Sequence, residues 1–177
     1  NTYQLGELVP QFKLSSFPEY IKLFSEKLQS LMFKDNKYPE RFNLIVEGKP
    51  GYGKSCWAQA YASEILSPKG YLILCIDYSS LQSLIIPDYI DKVCIIVNDA
   101  DTLALSRDIS TRGETEQILS WLDGARTSFI KPFYYDKRTS VITIMTANSI
   151  EQWDEAALRQ GRIHKIVQFD QVKLCDI

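Results

Sequence analysis

The sequence predicts an α/β domain: a parallel sheet of about five strands with helices on both faces. Three observations carry that expectation. Mostly apolar runs at residues 42–46, 71–76, 93–97, 141–145 and 166–169 are rich in Val and Ile and too short for buried helices. Stretches of helical period precede or separate them, so strands and helices alternate. The composition, 45% apolar and 24% charged over 177 residues, is that of an ordinary globular domain with one core. The chain divides into an N-terminal helix with its connection (1–41) and a sheet core (42–177), read as a single domain without repeats or low-complexity tracts.

The elements follow in order. Ser16-Phe17-Pro18-Glu19 has the pattern of a capping box, and Ile21, Phe24, Leu28, Leu31 and Met32 follow at helical spacing. The first strand, 42–46, is flanked by charge. A Gly-rich stretch leads from it into a helix whose stripe is Trp57, Ala58, Tyr61, Ala62, Ile65 and Leu66, stopped near Ser67-Pro68-Lys69-Gly70. Between the strands at 71–76 and 93–97, residues 77–92 leave room only for a very short helix. Ile118, Leu119 and Leu122 mark another helix ended by Asp123-Gly124. A long irregular segment, 125–140, then precedes the last two strands.

Several function classes lose support early. The net charge is −2, so no global positive field recommends nucleic acid or an acidic membrane as partner. His164 is the only histidine, which rules out a His-based metal site. The four cysteines (Cys56, Cys75, Cys94, Cys175) show no C-x-x-C pairing and read as reduced thiols. No apolar run approaches the ~18 residues of a membrane span, so a soluble, intracellular protein without a membrane segment is expected. The chain opens on Asn1 rather than Met and reads as a piece of a longer protein.

Gly48-Lys49-Pro50-Gly51-Tyr52-Gly53-Lys54-Ser55 satisfies G-x-x-x-x-G-K-[ST] between a predicted strand and a predicted helix. In such a P-loop, glycines let consecutive backbone N–H groups converge on phosphate oxygens, and the helix start adds its positive dipole end. Lys54 would reach the outer phosphates, and the Ser55 hydroxyl would ligate Mg²⁺. The candidate contacts to ATP are Gly48, Pro50, Gly51, Tyr52, Gly53, Lys54, Ser55 and Cys56, with Lys49 a solvated loop charge. Such a cradle needs an acid at the tip of a neighbouring strand to hold the metal and polarise water. The stretch VCIIVNDAD (93–101) offers Asn98-Asp99, a neutral amide in the first slot and a carboxylate in the second, with Asp101 beyond as a turn former. Asp99 is the second candidate metal ligand beside Ser55, and a candidate catalytic residue; read alone, it also suits a strand-end turn or a helix cap. The strand 141–145 runs into TANS, so Asn148 stands at a C-terminal strand edge, where an amide can orient water beside a γ-phosphate.

These elements, together with DEAALRQGRI (154–163), resemble the AAA+ ATPases, over about residues 42–169. In that family a D-x-A-x-x-R-x-G-R segment follows the strand bearing the sensor asparagine, and Asp154, Ala156, Arg159, Gly161 and Arg162 fit it. The resemblance implies an ATP- and Mg²⁺-dependent ATPase core of the P-loop type, slow where Asn98 replaces an acid. It implies a homo-oligomeric ring in which Arg159 and Arg162 act as arginine fingers on a neighbour's site, and a macromolecular substrate, protein in preference to nucleic acid. The small helical lid that follows the last core strand in the family is expected to be absent from this chain. Two partial likenesses add little about substrate. The short connection before the Asn98 strand and the placement of Asp99 are similar to the mitochondrial AAA translocase that handles the Rieske iron–sulfur protein, and the Asn98-Asp99 pair with LRQGRIHK is similar to Rubisco activase. IKPFYYDKR (130–138), with Lys131, Lys137 and Arg138 among aromatics, suits either a grip on an extended chain or local packing. Three other readings stand beside this one: a superfamily 3 viral replication helicase, a non-hydrolysing nucleotide-gated scaffold, and a small-molecule P-loop kinase.

Overall fold

Val- and Ile-rich runs buried on both sides pair in parallel, because each strand must hide two apolar faces rather than one. In a computed structural model describing residues 8–77, 89–100, 140–150 and 163–169, three such runs and two less buried ones at the edges form one sheet. They are β1 (Arg41–Glu47), β2 (Leu72–Asp77), β3 (Lys92–Asn98), β4 (Ser140–Ala147) and β5 (Lys165–Gln168). The order is β2-β3-β4-β1-β5, and every neighbouring pair is parallel. Tyr71, expected in β2, stays outside it because its N–H donates to the Leu66 carbonyl (3.3 Å) and closes the preceding helical stretch.

This order positions the site. From β1 the chain travels to β2 at one edge, and from β4 to β5 at the other, although β1 and β4 are neighbours. Connections that leave adjacent strands in opposite directions open a crevice at their C-terminal ends. Glu47 and Ala147 are paired there, and the residues that follow each strand enter the crevice.

The pleat sorts the core into two clusters. Phe42, Leu44 and Val46 of β1 join Cys94, Ile96, Ile142 and Ile144 on one face, under α1 (Glu19–Met32) and α2 (Lys54–Tyr61). Ile45, Val93, Ile95, Val97, Val141 and Met145 form the other cluster and are equally buried. Of the Trp57 stripe, Trp57, Ala58, Tyr61, Ala62 and Leu66 are fully buried, and Ile65 is partly buried against them. The helix widens into a π turn over Ala62–Leu66, tightens to a 3₁₀ turn over Ser67–Lys69, and stops at Gly70 (φ 92°). Trp57 stacks on Tyr61 with centroids 5.1 Å apart and meets Phe24 and Phe169, each 5.6 Å away. The expected helix at 118–122, the short helix before β3 and the segment 125–139 lie outside the described residues.

Two expectations for α1 are corrected. No capping box forms at Ser16, which ends a 3₁₀ turn (Leu14–Ser16). Pro18 is the N-cap, its carbonyl accepting from the N–H groups of Ile21 (3.0 Å) and Lys22 (3.1 Å), so Ser16 stands out of register with the helix start. Leu31 is half exposed rather than part of the buried face, and Ser25 is buried instead. The Ser25 hydroxyl donates to the Ile21 carbonyl (2.8 Å) and accepts from the Trp57 indole N–H (2.9 Å), so both polar groups are satisfied where α1 crosses α2. Cys56, Cys75 and Cys94 are free thiols.

β5 is held to β1 partly by a histidine in its neutral form. His164 Nδ1 accepts from the Asn43 N–H (2.9 Å), the His164 backbone N–H donates to the Asn43 carbonyl (2.9 Å), and its ring stacks on Phe42 at 5.1 Å. Burial, and secondarily the Arg41 charge, hold its pKa below the ordinary 6.5. A depressed pKa means that the unfolded chain takes the proton first, so this stabilisation is complete above pH 6.5 and declines as pH falls from there through the folded value. The difference in melting temperature between the chain and His164→Ala is expected to be largest near pH 8 and to narrow below pH 6.5, as read by circular dichroism.

Candidate functional site

The loop between β1 and α2 is built around glycine geometry. Gly51 (φ 82°) and Gly53 (φ 81°) occupy the left-handed region, and Gly53 leads into α2 with its carbonyl accepting the Trp57 N–H (2.9 Å). Gly48 is needed for a different reason. A Cβ there would lie 2.8 Å from the Phe169 carbonyl oxygen and 3.3 Å from Phe169 Cβ, whereas one at Gly51 meets open space. Gly48→Ala is therefore expected to lower stability by about 1–3 kcal/mol through forced backbone movement. Gly51→Ala should cost only the left-handed backbone strain, about 1 kcal/mol. Thermal unfolding of the two variants reads the order.

Lys54 opens α2 and is only 8% exposed. Its Nζ donates to the Gly48 carbonyl, to the Lys49 carbonyl (3.1 Å) and to Asn148 Oδ1 (3.1 Å). The ammonium thus sits inside the curve of the loop, against the amide that follows β4. Ser55 comes next, and its hydroxyl donates to Asn98 Oδ1 (3.0 Å) at the tip of β3. Asn98 Oδ1 also accepts from Thr146 Oγ1 (3.5 Å), and Thr146 Oγ1 accepts from the Asp99 N–H (3.2 Å). Asp99 is exposed, in the left-handed conformation (φ 54°) that Asp tolerates better than most residues. The turn directs the chain out of the sheet directly after Asn98.

The crevice therefore gathers three sequence-distant stretches: the loop 48–55, Asn98-Asp99 and Asn148. Lys49, Pro50 and Gly51 are exposed, Tyr52 and Cys56 partly buried against the helical face of the core. The Cys56 thiol donates to Gln11 Oε1 (3.8 Å), in the segment before α1. Arg159 and Arg162, like Asp101, lie outside the described residues. Thr146 was not legible as a site residue. Its one signal is a buried hydroxyl, 1% exposed, two residues before Asn148, a feature it shares with Ser140 and Thr143 of the same strand.

The model of the ATPase family associated with various cellular activities (AAA) matches residues 44–171, most of the chain. The chain belongs to the AAA ATPase family. Its fold, with β1 between β4 and β5 and the Gly-rich loop running into α2, is that of an AAA core. This AAA chain is also similar to the 26S proteasome regulatory subunit 4 homolog B of Arabidopsis thaliana and to the 26S proteasome regulatory subunit 4 homolog of Oryza sativa subsp. japonica. Each is 26% identical over 145 residues, covering 71% of this chain and 30% of the relative. The AAA chain thus spans about 30% of the length of the curated relatives it matches.

Proposed function

We propose that this AAA domain binds ATP with Mg²⁺ on residues 48–55, hydrolyses it, and works in a ring that remodels or translocates a macromolecule. The observation that carries the reading is the double link from the start of α2: Lys54 to Asn148 and Ser55 to Asn98. Lysine, hydroxyl and two strand-tip amides converge where glycine backbone can surround a triphosphate.

Each residue has a task in this reading. Lys54 exchanges its bonds to the Gly48 and Lys49 carbonyls for phosphate oxygens. Ser55, Asn98 and Asp99 supply hydroxyl, amide and carboxylate oxygens, the hard donors that suit Mg²⁺, which when bound neutralises phosphate charge. Asp99 accepts the proton of the attacking water, and Asn148 orients that water. Arg159 and Arg162 serve the neighbouring subunit's site, where a guanidinium offsets charge developing on the γ-phosphate. The relatives' designation as regulatory subunits of the 26S proteasome supports a protein substrate over a nucleic acid.

Magnesium-dependent phosphate release measured against chain concentration tests this function. A rate per chain that climbs with concentration is the result expected of sites shared between subunits. A second reading is favoured by one observation, the neutral Asn98 in the slot where an acid is usual. In it the domain binds ATP without turnover and uses it to hold an assembly. Tight ATP binding with no phosphate release at any concentration would favour that scaffold.

A further inference from the structure

We infer that Glu47 is a positioning residue that sets Asn148 against the γ-phosphate end of the site, an inference that rests on the phosphate-loop reading above. Glu47 is the last residue of β1, one step before the loop. One of its carboxylate oxygens, Oε1, accepts from the Ile150 backbone N–H (3.2 Å). The other, Oε2, accepts from the Gln168 side-chain amide (3.1 Å). Its backbone carbonyl accepts from the Phe169 N–H (2.7 Å), and the next N–H, of Gly48, donates to the Ala147 carbonyl (3.1 Å). Two consecutive residues thus bind the ends of both strands that flank β1.

Asn148 lies between the two anchor points on its side of this clip. Ala147 before it is fixed by Gly48, and Ile150 beyond it by the Glu47 carboxylate. Asn148 and Ser149 are exposed, and the backbone anchors on either side narrow where the Asn148 amide can sit. That amide is the group that meets Lys54 Nζ at 3.1 Å. A carboxylate suits the clip because it accepts twice without carrying a donor, and both donors here come from outside β1. Releasing the Ile150 anchor removes one of the two backbone holds on either side of Asn148. The distinction between a nucleotide with a γ-phosphate and one without then weakens, while the part of the loop that holds the inner phosphates is untouched.

The test is the affinity of the chain, with Mg²⁺, for ADP and for a slowly hydrolysed ATP analogue, so that no turnover is required. Asn148→Ala is expected to weaken the analogue about tenfold and ADP by less than about threefold, and Glu47→Ala to do the same. The double variant should be no worse than either single one, because both remove the same contact. Glu47→Gln keeps an oxygen for the Ile150 N–H, and the Gln168 amide can turn to accept from the new NH₂ group, so this variant should recover most of the preference. Glu47→Asp keeps the charge but is too short to span both donors, and should behave as Glu47→Ala; it carries the same test if the alanine variant does not fold. Equal weakening of both nucleotides, an unchanged preference in Glu47→Asp, or full additivity with Asn148→Ala would each overturn the role of Glu47 alone. A chain that binds neither nucleotide would overturn the phosphate-loop reading first, and this inference with it.

Discussion

Lys54→Ala is expected to weaken ATP binding by a hundredfold or more and to leave the fold in place. The reason lies in where the ammonium sits. It is nearly buried, inside the loop, with backbone carbonyls and the Asn148 amide as its acceptors. A charged donor held in such a place is poised to exchange uncharged acceptors for phosphate oxygens, and charge-assisted bonds to a phosphate contribute about 1.5–3 kcal/mol each. Loss of two of them corresponds to about 3 kcal/mol or more, which is roughly a hundredfold in affinity. The fold survives because the α1–α2 contact rests on Trp57, Tyr61 and Ser25, none of which bonds to Lys54 Nζ in the contacts above. A fluorescent ATP analogue titrated into both proteins, alongside their far-ultraviolet circular dichroism spectra, reads both halves of the expectation.

The second large effect concerns Arg162. If its guanidinium completes a neighbour's site, Arg162→Ala should bind ATP normally and lose hydrolysis by about a thousandfold, the lower end of what an arginine finger contributes. Loss of kcat with affinity kept is the signature of an interaction made mainly in the transition state. The arrangement in trans adds a sharper expectation. Arg162→Ala and Lys54→Ala, each inactive alone, should regain activity when mixed, because some interfaces then join an intact loop to an intact arginine. Random assembly allows up to about a quarter of interfaces to do so. Recovery on mixing separates a shared site from a surface arginine whose loss merely disturbs its own chain.

How much of this was legible in the sequence follows from which forces act locally. The strands were legible because a parallel strand buried on both faces must be apolar throughout, and 42–46, 93–97 and 141–145 are so within a residue or two. The loop was legible because its glycine positions answer to backbone conformation, a local demand that Gly51 and Gly53 meet at positive φ. The start of α1 misled: S-x-x-E is a local pattern too, but Pro18 sets the first turn and leaves Ser16 outside it. Ser25 and Leu31 exchanged places relative to a hydrophobicity-based face, because Ser25 has an indole N–H to accept from, and helical period alone does not reveal a partner on another helix.

The site divides in the same way. Lys54, Ser55, Asp99 and Asn148 were singled out as candidates from motif and strand-tip position. That Lys54 meets Asn148, 94 residues away, and that Ser55 meets Asn98 follow from strand order, which no local pattern encodes. Glu47 escaped notice for the same reason. A charge at the end of an apolar run is ordinary, and its two partners, Ile150 and Gln168, become neighbours only once β4 and β5 flank β1.

The most direct measurement is a crystal structure of the chain grown with Mg²⁺ and a non-hydrolysable ATP analogue. Phosphate binding on the loop predicts the β- and γ-phosphates within hydrogen-bond distance of backbone N–H groups in residues 48–55, with Lys54 Nζ turned from the Gly48 carbonyl onto phosphate oxygen. An analogue bound elsewhere, with Lys54 still on the Gly48 carbonyl and Asn148, would contradict it.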